Sequence, residues 1–149
     1  MARFNADIDN GLIQAMEKMG ERSEEVLGRM VDAGADVALR HIRSNMRGSF
    51  QSVRSLEAGL GKTRVFKTPS DDGIAVKVGF RGYSPTRKGS AGAKKFNNSP
   101  IPVPFIAVSR EKGTARGERK KPFFKKSFVK SEIEAAMKAV EPQLFEGVK

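Results

Sequence analysis

Cysteine and tryptophan are absent from the 149 residues, and histidine and tyrosine occur once each, as His41 and Tyr83. Without cysteine there is no disulfide framework and no thiolate metal site. A single histidine leaves no nucleophile pair of the Ser-His or Cys-His kind except through His41 itself. No apolar run approaches the roughly 18 to 20 residues of a membrane span, and the N-terminal stretch MARFNADIDN has no cationic segment followed by an apolar block. The expectation is a chain made and kept in the cytoplasm, with no membrane partner and no cofactor.

Acidic residues are scarce in one half only. Residues 1 to 61 hold 8 Lys and Arg against 9 Asp and Glu, whereas residues 62 to 149 hold 20 against 8, and the whole chain carries a formal charge of +11. Fourteen cations crowd into residues 81 to 130, from Arg81 to Lys130, with Glu111 and Glu118 as the only acids among them. Such a segment repels itself unless something acidic lies nearby: a phosphate backbone, an anionic membrane surface or an acidic protein face. A charged surface that serves solubility alone is the competing explanation.

Helical periodicity is strongest from about Gly20 to Ser49, where Val26, Leu27, Met30, Val31, Ala35, Val37, Ala38, Ile42 and Met46 recur at threes and fours. Thirty residues at about 1.5 Å each reach roughly 45 Å, more than a small core needs. Gly28 and Gly34 within this stretch predict a bend or a close contact. Upstream, Ile8, Leu12, Ile13, Met16 and Met19 repeat the spacing and predict a shorter first helix that ends at Gly20.

Past Gly48 the pattern changes. Lys62 to Thr68 and Ile74 to Phe80 are rich in β-branched residues and are separated by Pro69-Ser-Asp-Asp-Gly73, which predicts an antiparallel hairpin. Ser84 to Pro100 is rich in Gly, Ser, Pro and Lys without periodicity and predicts a mobile basic loop. Residues 104 to 112 fit a strand or a short helix ended by Gly113, and periodicity over so few residues does not separate the two. A last helix is expected from around Phe123 or Phe128 to Val140, stopped by Pro142. The fold class is α+β in one domain: a helical part over 1–50, the sheet and basic loop over 62–122, and a C-terminal helix over 123–142 packed on the sheet.

Motifs for catalysis are weak. Leu56-Glu-Ala-Gly-Leu-Gly61-Lys62-Thr63 resembles a phosphate-binding loop, but Leu56 stands where glycine is needed and the segment leads from helix into strand, the reverse of the required order. His41 lies on the long helix between Arg40 and Arg43 and reads as a packing or interface residue. Asp71 and Asp72 precede Gly73 in a turn, which accounts for both. Phe96, Phe105, Phe123, Phe124 and Tyr83 lie within the basic segment, yet no nucleic-acid motif frames them. Phe123 and Phe124, after Pro122, read best as anchors of the last helix in the core.

Glu111-Lys-Gly113-Thr114, a short variable stretch, then Pro122-Phe123-Phe124-Lys125 together form a recognisable combination. It resembles the gene-product-ten-like tail-component family of lambdoid siphophages, whose recurring pattern is Glu, one residue, Gly-Thr, and later Pro-Phe, a bulky apolar residue and a basic one before a C-terminal helix. Arg54 to Leu60 departs from the Pro-x-x-Thr-Gly-x-Leu segment of many members. The resemblance implies a structural virion protein, not an enzyme. It implies a tail-completion or head-tail joining subunit in a six- or twelve-fold homo-oligomeric ring in the neck. The implied neighbours are a neck, portal or head-closure protein and a tail-tube or tail-terminator protein, with DNA in the channel. Subunit contacts are then expected at Glu111, Gly113, Thr114, Arg110 and the loop cations Arg87, Lys88, Lys94 and Lys95. The alternative is a sequence-nonspecific DNA-binding protein that uses the basic 81–130 segment.

Overall fold

The fold is described from a computed structural model, for residues 2–4, 21–117 and 119–146. The short helix expected around Ile8 to Met19 lies outside the described residues. Strand β1 (Ala2–Phe4) is followed by helix α1 (Glu21–Ser49), a short helix α2 (Arg54–Gly59), and strands β2 (Leu60–Lys62), β3 (Phe66–Lys67), β4 (Ile74–Phe80), β5 (Tyr83–Lys88) and β6 (Pro100–Pro102). Helix α3 (Val103–Lys112), a 3-10 turn (Lys125–Ser127), helix α4 (Lys130–Val140) and a second 3-10 turn (Glu141–Leu144) complete the order. This is the expected α+β class.

Helix α1 runs 29 residues, or about 44 Å. Its buried side chains include Val26, Met30, Val31, Ala35, Val37, Ala38, Leu39, Ile42 and Met46. At about 100° per residue these cover well over half of the helix circumference. One layer cannot cover a band that wide, and two layers do so here. Strand β4 lies on one side and α4 on another. The C-terminal helix therefore packs along α1, a correction to the expectation that it would pack on the sheet. The sheet strands are only two to seven residues long and leave much of the apolar band uncovered. Helix α4 runs antiparallel to α1. Asn45 donates to Ser127 at 2.8 Å, His41 meets Glu132 at 2.5 Å, and Arg29 donates to Gln143 at 3.3 Å. Midway, a Cβ on Gly34 would stand 3.0 Å from Ile133 and 3.2 Å from Met137, so glycine here serves close helix contact.

The sheet is centred on β4. β1 pairs antiparallel on one side, with Ala2 opposite Val78 and Phe4 opposite Val76. β2 pairs antiparallel to β4 with Leu60 opposite Phe80, and β3 with Phe66 opposite Ala75. The predicted hairpin is present, but its first strand is broken at Arg64 and Val65. Thr63 bridges the break: its N–H donates to the Lys77 carbonyl at 2.9 Å and its hydroxyl accepts the Lys77 N–H at 3.0 Å. In the turn, Thr68 donates to the Asp71 carboxylate, which also accepts the Gly73 N–H at 3.3 Å, as expected of turn chemistry. Val76, Val78 and Phe80 alternate along β4 and share one buried face that joins the core.

Two further local expectations are revised and one open alternative is decided. Tyr83 to Lys88 and Pro100 to Pro102 pair as antiparallel strands, so only the segment between them is loop. Phe96 within it stacks edge-on against Phe105 at 5.3 Å, which pins the loop to α3. Residues 103–112 are helical, because Pro104 sits in the first turn, where its missing N–H costs nothing, and Gly113 ends the helix at φ 76°. The last helix begins at Lys130; Phe123 and Phe124 precede it, and Phe124, at φ −80° and ψ −54°, leads into the Lys125–Ser127 turn.

A charged tie joins sheet to helix. Lys62 on β2 places its ammonium 2.7 Å from both Asp32 and Asp36 on α1. Burial pulls the Lys62 ammonium down, but hydrogen bonding and attraction from the two carboxylates together outweigh it and hold it above its ordinary value of 10.5. A raised lysine contributes stability that is complete below the unfolded value and disappears as pH rises through the folded one. Thermal melts of the wild type should therefore show a stability loss that begins above about pH 10.5, and Lys62→Met should lack that component. At pH 7 the same variant should be less stable by about 1 kcal/mol, since both carboxylates are partly solvated. An unchanged alkaline limb in the variant would count against the tie.

Candidate functional site

Helix α3 ends where the basic segment is densest, and a single acid organises the chain there. The Glu111 carboxylate accepts the backbone N–H of Phe123 at 2.8 Å, of Phe124 at 2.9 Å and of Lys125 at 3.3 Å. These three N–H groups stand at the entry to the Lys125–Ser127 turn, where a turn or helix has no carbonyl partners of its own. A carboxylate in that position makes charge-assisted bonds, about twice as strong as neutral ones. Gly113, at φ 76° and ψ 175°, turns the chain out of α3. Gly117 donates back to the Thr114 carbonyl at 3.2 Å, and Lys121 N–H returns to the Arg110 carbonyl at 3.2 Å. Glu111, Gly113 and the segment from Pro122 to Lys125 thus form one closed clasp.

The clasp is seated on aromatic rings. Phe123 is fully buried and meets Phe50, just beyond α1, edge-on at 5.2 Å, and Phe80 of β4 at 6.1 Å. Phe124 continues the chain of rings to Phe80 at 5.8 Å and Phe128 at 5.2 Å. Edge-to-face pairs of this kind add about 0.5 to 1.5 kcal/mol each beyond area burial. The Arg110 guanidinium lies 4.6 Å from the Phe50 ring centre, and the Lys121 ammonium donates to the Ser49 carbonyl at 3.1 Å, satisfying the end of α1.

The residues expected to form subunit contacts are brought together only in part. Glu111 is half-buried and directs its carboxylate inward, so its evident work is intramolecular. Arg110 is likewise half-buried against Phe50. Thr114 is exposed at the start of the loop. Arg87, Lys88, Lys94 and Lys95 are exposed on the arm formed by β5, β6 and the loop between them. That arm reaches α3 through Phe96 and Phe105. Pro122 is exposed, Phe123 anchors the core and Phe124 is half-buried. Of the fourteen cations in residues 81 to 130, thirteen are exposed. Lys130 pairs with Glu134 at 3.6 Å; the other described ion pairs fall on Arg29, His41, Arg47, Lys62 and Lys67, outside the segment.

Sequence reasoning missed several partners. Phe50 and Phe80 are isolated in the chain, and nothing in their spacing announces that Phe123 will sit between them. The hydroxyls of Ser55, Ser84 and Thr86 form a small network, with Ser55 2.7 Å from Ser84 and 2.9 Å from Thr86, that ties α2 to β5. These hydroxyls satisfy one another, and Ser84 also accepts the Thr86 and Arg87 N–H groups. Among the described residues no cluster of three or more His, Asp or Glu could hold a metal ion, and no helix is long and apolar enough to cross a membrane. No family model, curated protein or solved structure matches the chain.

Removal of the carboxylate should expose its importance. Glu111→Ala leaves the Phe123 and Phe124 N–H groups without acceptors and should cost about 2 to 4 kcal/mol in urea denaturation. Glu111→Gln, which keeps one acceptor oxygen, should cost less than the alanine variant. Faster amide exchange at Phe123 and Phe124 in both variants is the accompanying readout; unchanged exchange would refute the clasp.

Proposed function

We propose that the chain is a structural, non-enzymatic subunit of a tailed-phage or prophage neck, which completes the tail or joins it to the head as a homo-oligomeric ring of six or twelve copies. The observation that carries this reading is the convergence of Glu111, Gly113, Pro122, Phe123 and Phe124 into one clasp. These are five of the seven residues of the pattern on which the resemblance to phage tail components rests. A shared pattern whose members are adjacent in space is better support than the same letters scattered over the fold.

The surface chemistry agrees with an assembly role. Thirteen exposed cations with little acid among them favour acidic surroundings, and a virion neck offers these as neighbouring protein rings or as DNA in the channel. Protein is the better candidate for most of them, because tight phosphate binding would hinder passage of DNA. The ring would sit between a portal or head-closure protein and the tail-tube or tail-terminator protein, in the virion, after assembly in the host cytoplasm. Arg87, Lys88, Lys94 and Lys95 on the projecting arm, with Gly113 and Thr114 beside the clasp, are the proposed neighbour contacts. The same exposed cations are the reason to keep a nonspecific DNA-binding protein as a second reading.

Deletion of the gene from the phage or prophage that encodes it should leave DNA-filled heads and separate or incomplete tails in electron micrographs, with joined particles restored by a plasmid copy. Normal yields of joined particles without the gene would overturn the neck reading. A DNA binder with several phosphate contacts would instead lose about 10³-fold in duplex affinity between 50 and 200 mM salt, and no binding at 50 mM would end that second reading.

A further inference from the structure

An apolar groove of about 440 Å³ opens between α3, the end of β4 and the segment that follows the clasp. Its walls include Phe80, Ala107, Val108, Phe124 and Phe128. Val108 is 55% exposed although it is a large aliphatic side chain. Lys112 and Lys125 also line it, beside Glu111, whose carboxylate is taken up by the N–H groups of Phe123 and Phe124; both lysines are exposed and take part in no ion pair among the described residues. A site of this kind suits an apolar side chain carried next to an acid.

The chain itself displays such a feature elsewhere. Phe145 is 51% exposed, directly after the Glu141–Leu144 turn, and is flanked by exposed Glu146. The knob has a firm base: Leu144 is buried in the core, the Phe145 N–H donates to the Pro142 carbonyl at 3.1 Å, and Gln143 accepts from Arg29. The groove wall is fixed near the other end of α1, where Asn45 bonds Ser127 beside Phe128. Arg29 and Asn45 are 16 residues apart on one helix, which separates knob and groove by about 24 Å. One copy cannot insert its own knob into its own groove. Two copies can.

We propose that Phe145 of one copy seats in the Phe80, Val108 and Phe128 groove of the next, with Glu146 meeting Lys112 and Lys125. The inference rests on the ring reading and specifies its subunit contact. The contact is heterologous, since each copy contributes a different surface, and repetition generates a closed ring when the rotation closes. It also sets an acid against the basic side of a chain with net charge +11, which lowers the repulsion between copies.

The test uses full-length protein in light scattering and sedimentation over a concentration series. Val108→Glu and Phe145→Glu alter exposed positions, so both should melt like the wild type. Each alone should self-associate roughly 30-fold more weakly, or worse, as expected on loss of a central apolar anchor. Mixed in equal amounts, the two variants should form a one-to-one pair and nothing larger, because one intact groove and one intact knob remain. Wild-type assembly that survives both substitutions would overturn the contact while leaving the neck reading to the gene deletion. Failure of the mixture to pair would also overturn it, and undiminished self-association of Phe145→Glu alone would overturn it in favour of a groove-to-groove contact. A wild type that stays monomeric at every concentration would overturn self-docking and leave an acidic partner protein as the occupant.

Discussion

The width of the apolar band on α1 is the constraint from which the other elements take their places. A helix 29 residues long, buried over more than half of its circumference, can be stable in water only if it is covered from two directions. β4 supplies one cover with Val76, Val78 and Phe80. α4 supplies the other with Ile133 and Met137, brought close by the absence of a side chain at Gly34. The sheet is small because it has only one side of a helix to cover, and the C-terminal helix lies against α1 because that is where uncovered hydrocarbon remains.

What the two covers do not fix is the path of the chain between them. Residues 113–122 leave the end of α3 carrying Arg116, Arg119, Lys120 and Lys121, which repel one another and offer nothing to bury. Two unlike interactions close this stretch. The rings of Phe50, Phe80, Phe123 and Phe124 hold its far end in the core, and the Glu111 carboxylate takes up the N–H groups that this geometry leaves over. A carboxylate is well suited to the task because it accepts several hydrogen bonds at once and carries the opposite charge to its surroundings. The same acid was expected, from its place in the recurring pattern, to touch a neighbouring subunit; its bonds instead hold the platform from which neighbouring cations project.

That division of labour separates the internal supports from the exposed charge. The clasp and the aromatic chain are internal and rigid, whereas Arg87, Lys88, Lys94 and Lys95 lie outside on an arm held by strand pairing and by Phe96 against Phe105. The exposed cations thus stand on ordered supports, so little further conformational entropy remains to be lost there. The groove beside the clasp and the exposed Phe145 lie toward opposite ends of α1.

Sequence alone determined the elements whose signals are local and repeated. The periodicity of α1 predicted its span to within a residue, the alternation of Ile74 to Phe80 and the Pro-Ser-Asp-Asp-Gly turn predicted the hairpin, and the charge imbalance located the basic segment. It also picked out Phe123 and Phe124 as core anchors, from their place after Pro122 ahead of the last helix, and Phe123 is fully buried. Tertiary structure alone turned part of an apparently structureless loop into paired strands and set α4 on α1 instead of on the sheet. It also decided that Glu111 faces inward and that Phe50 and Phe80 enclose Phe123. Those outcomes depend on contacts between residues a dozen or more positions apart, whose hydrogen bonds and burial exist only after the chain has closed. A pattern read along the chain carries which residues must be buried, but not which partner will bury them.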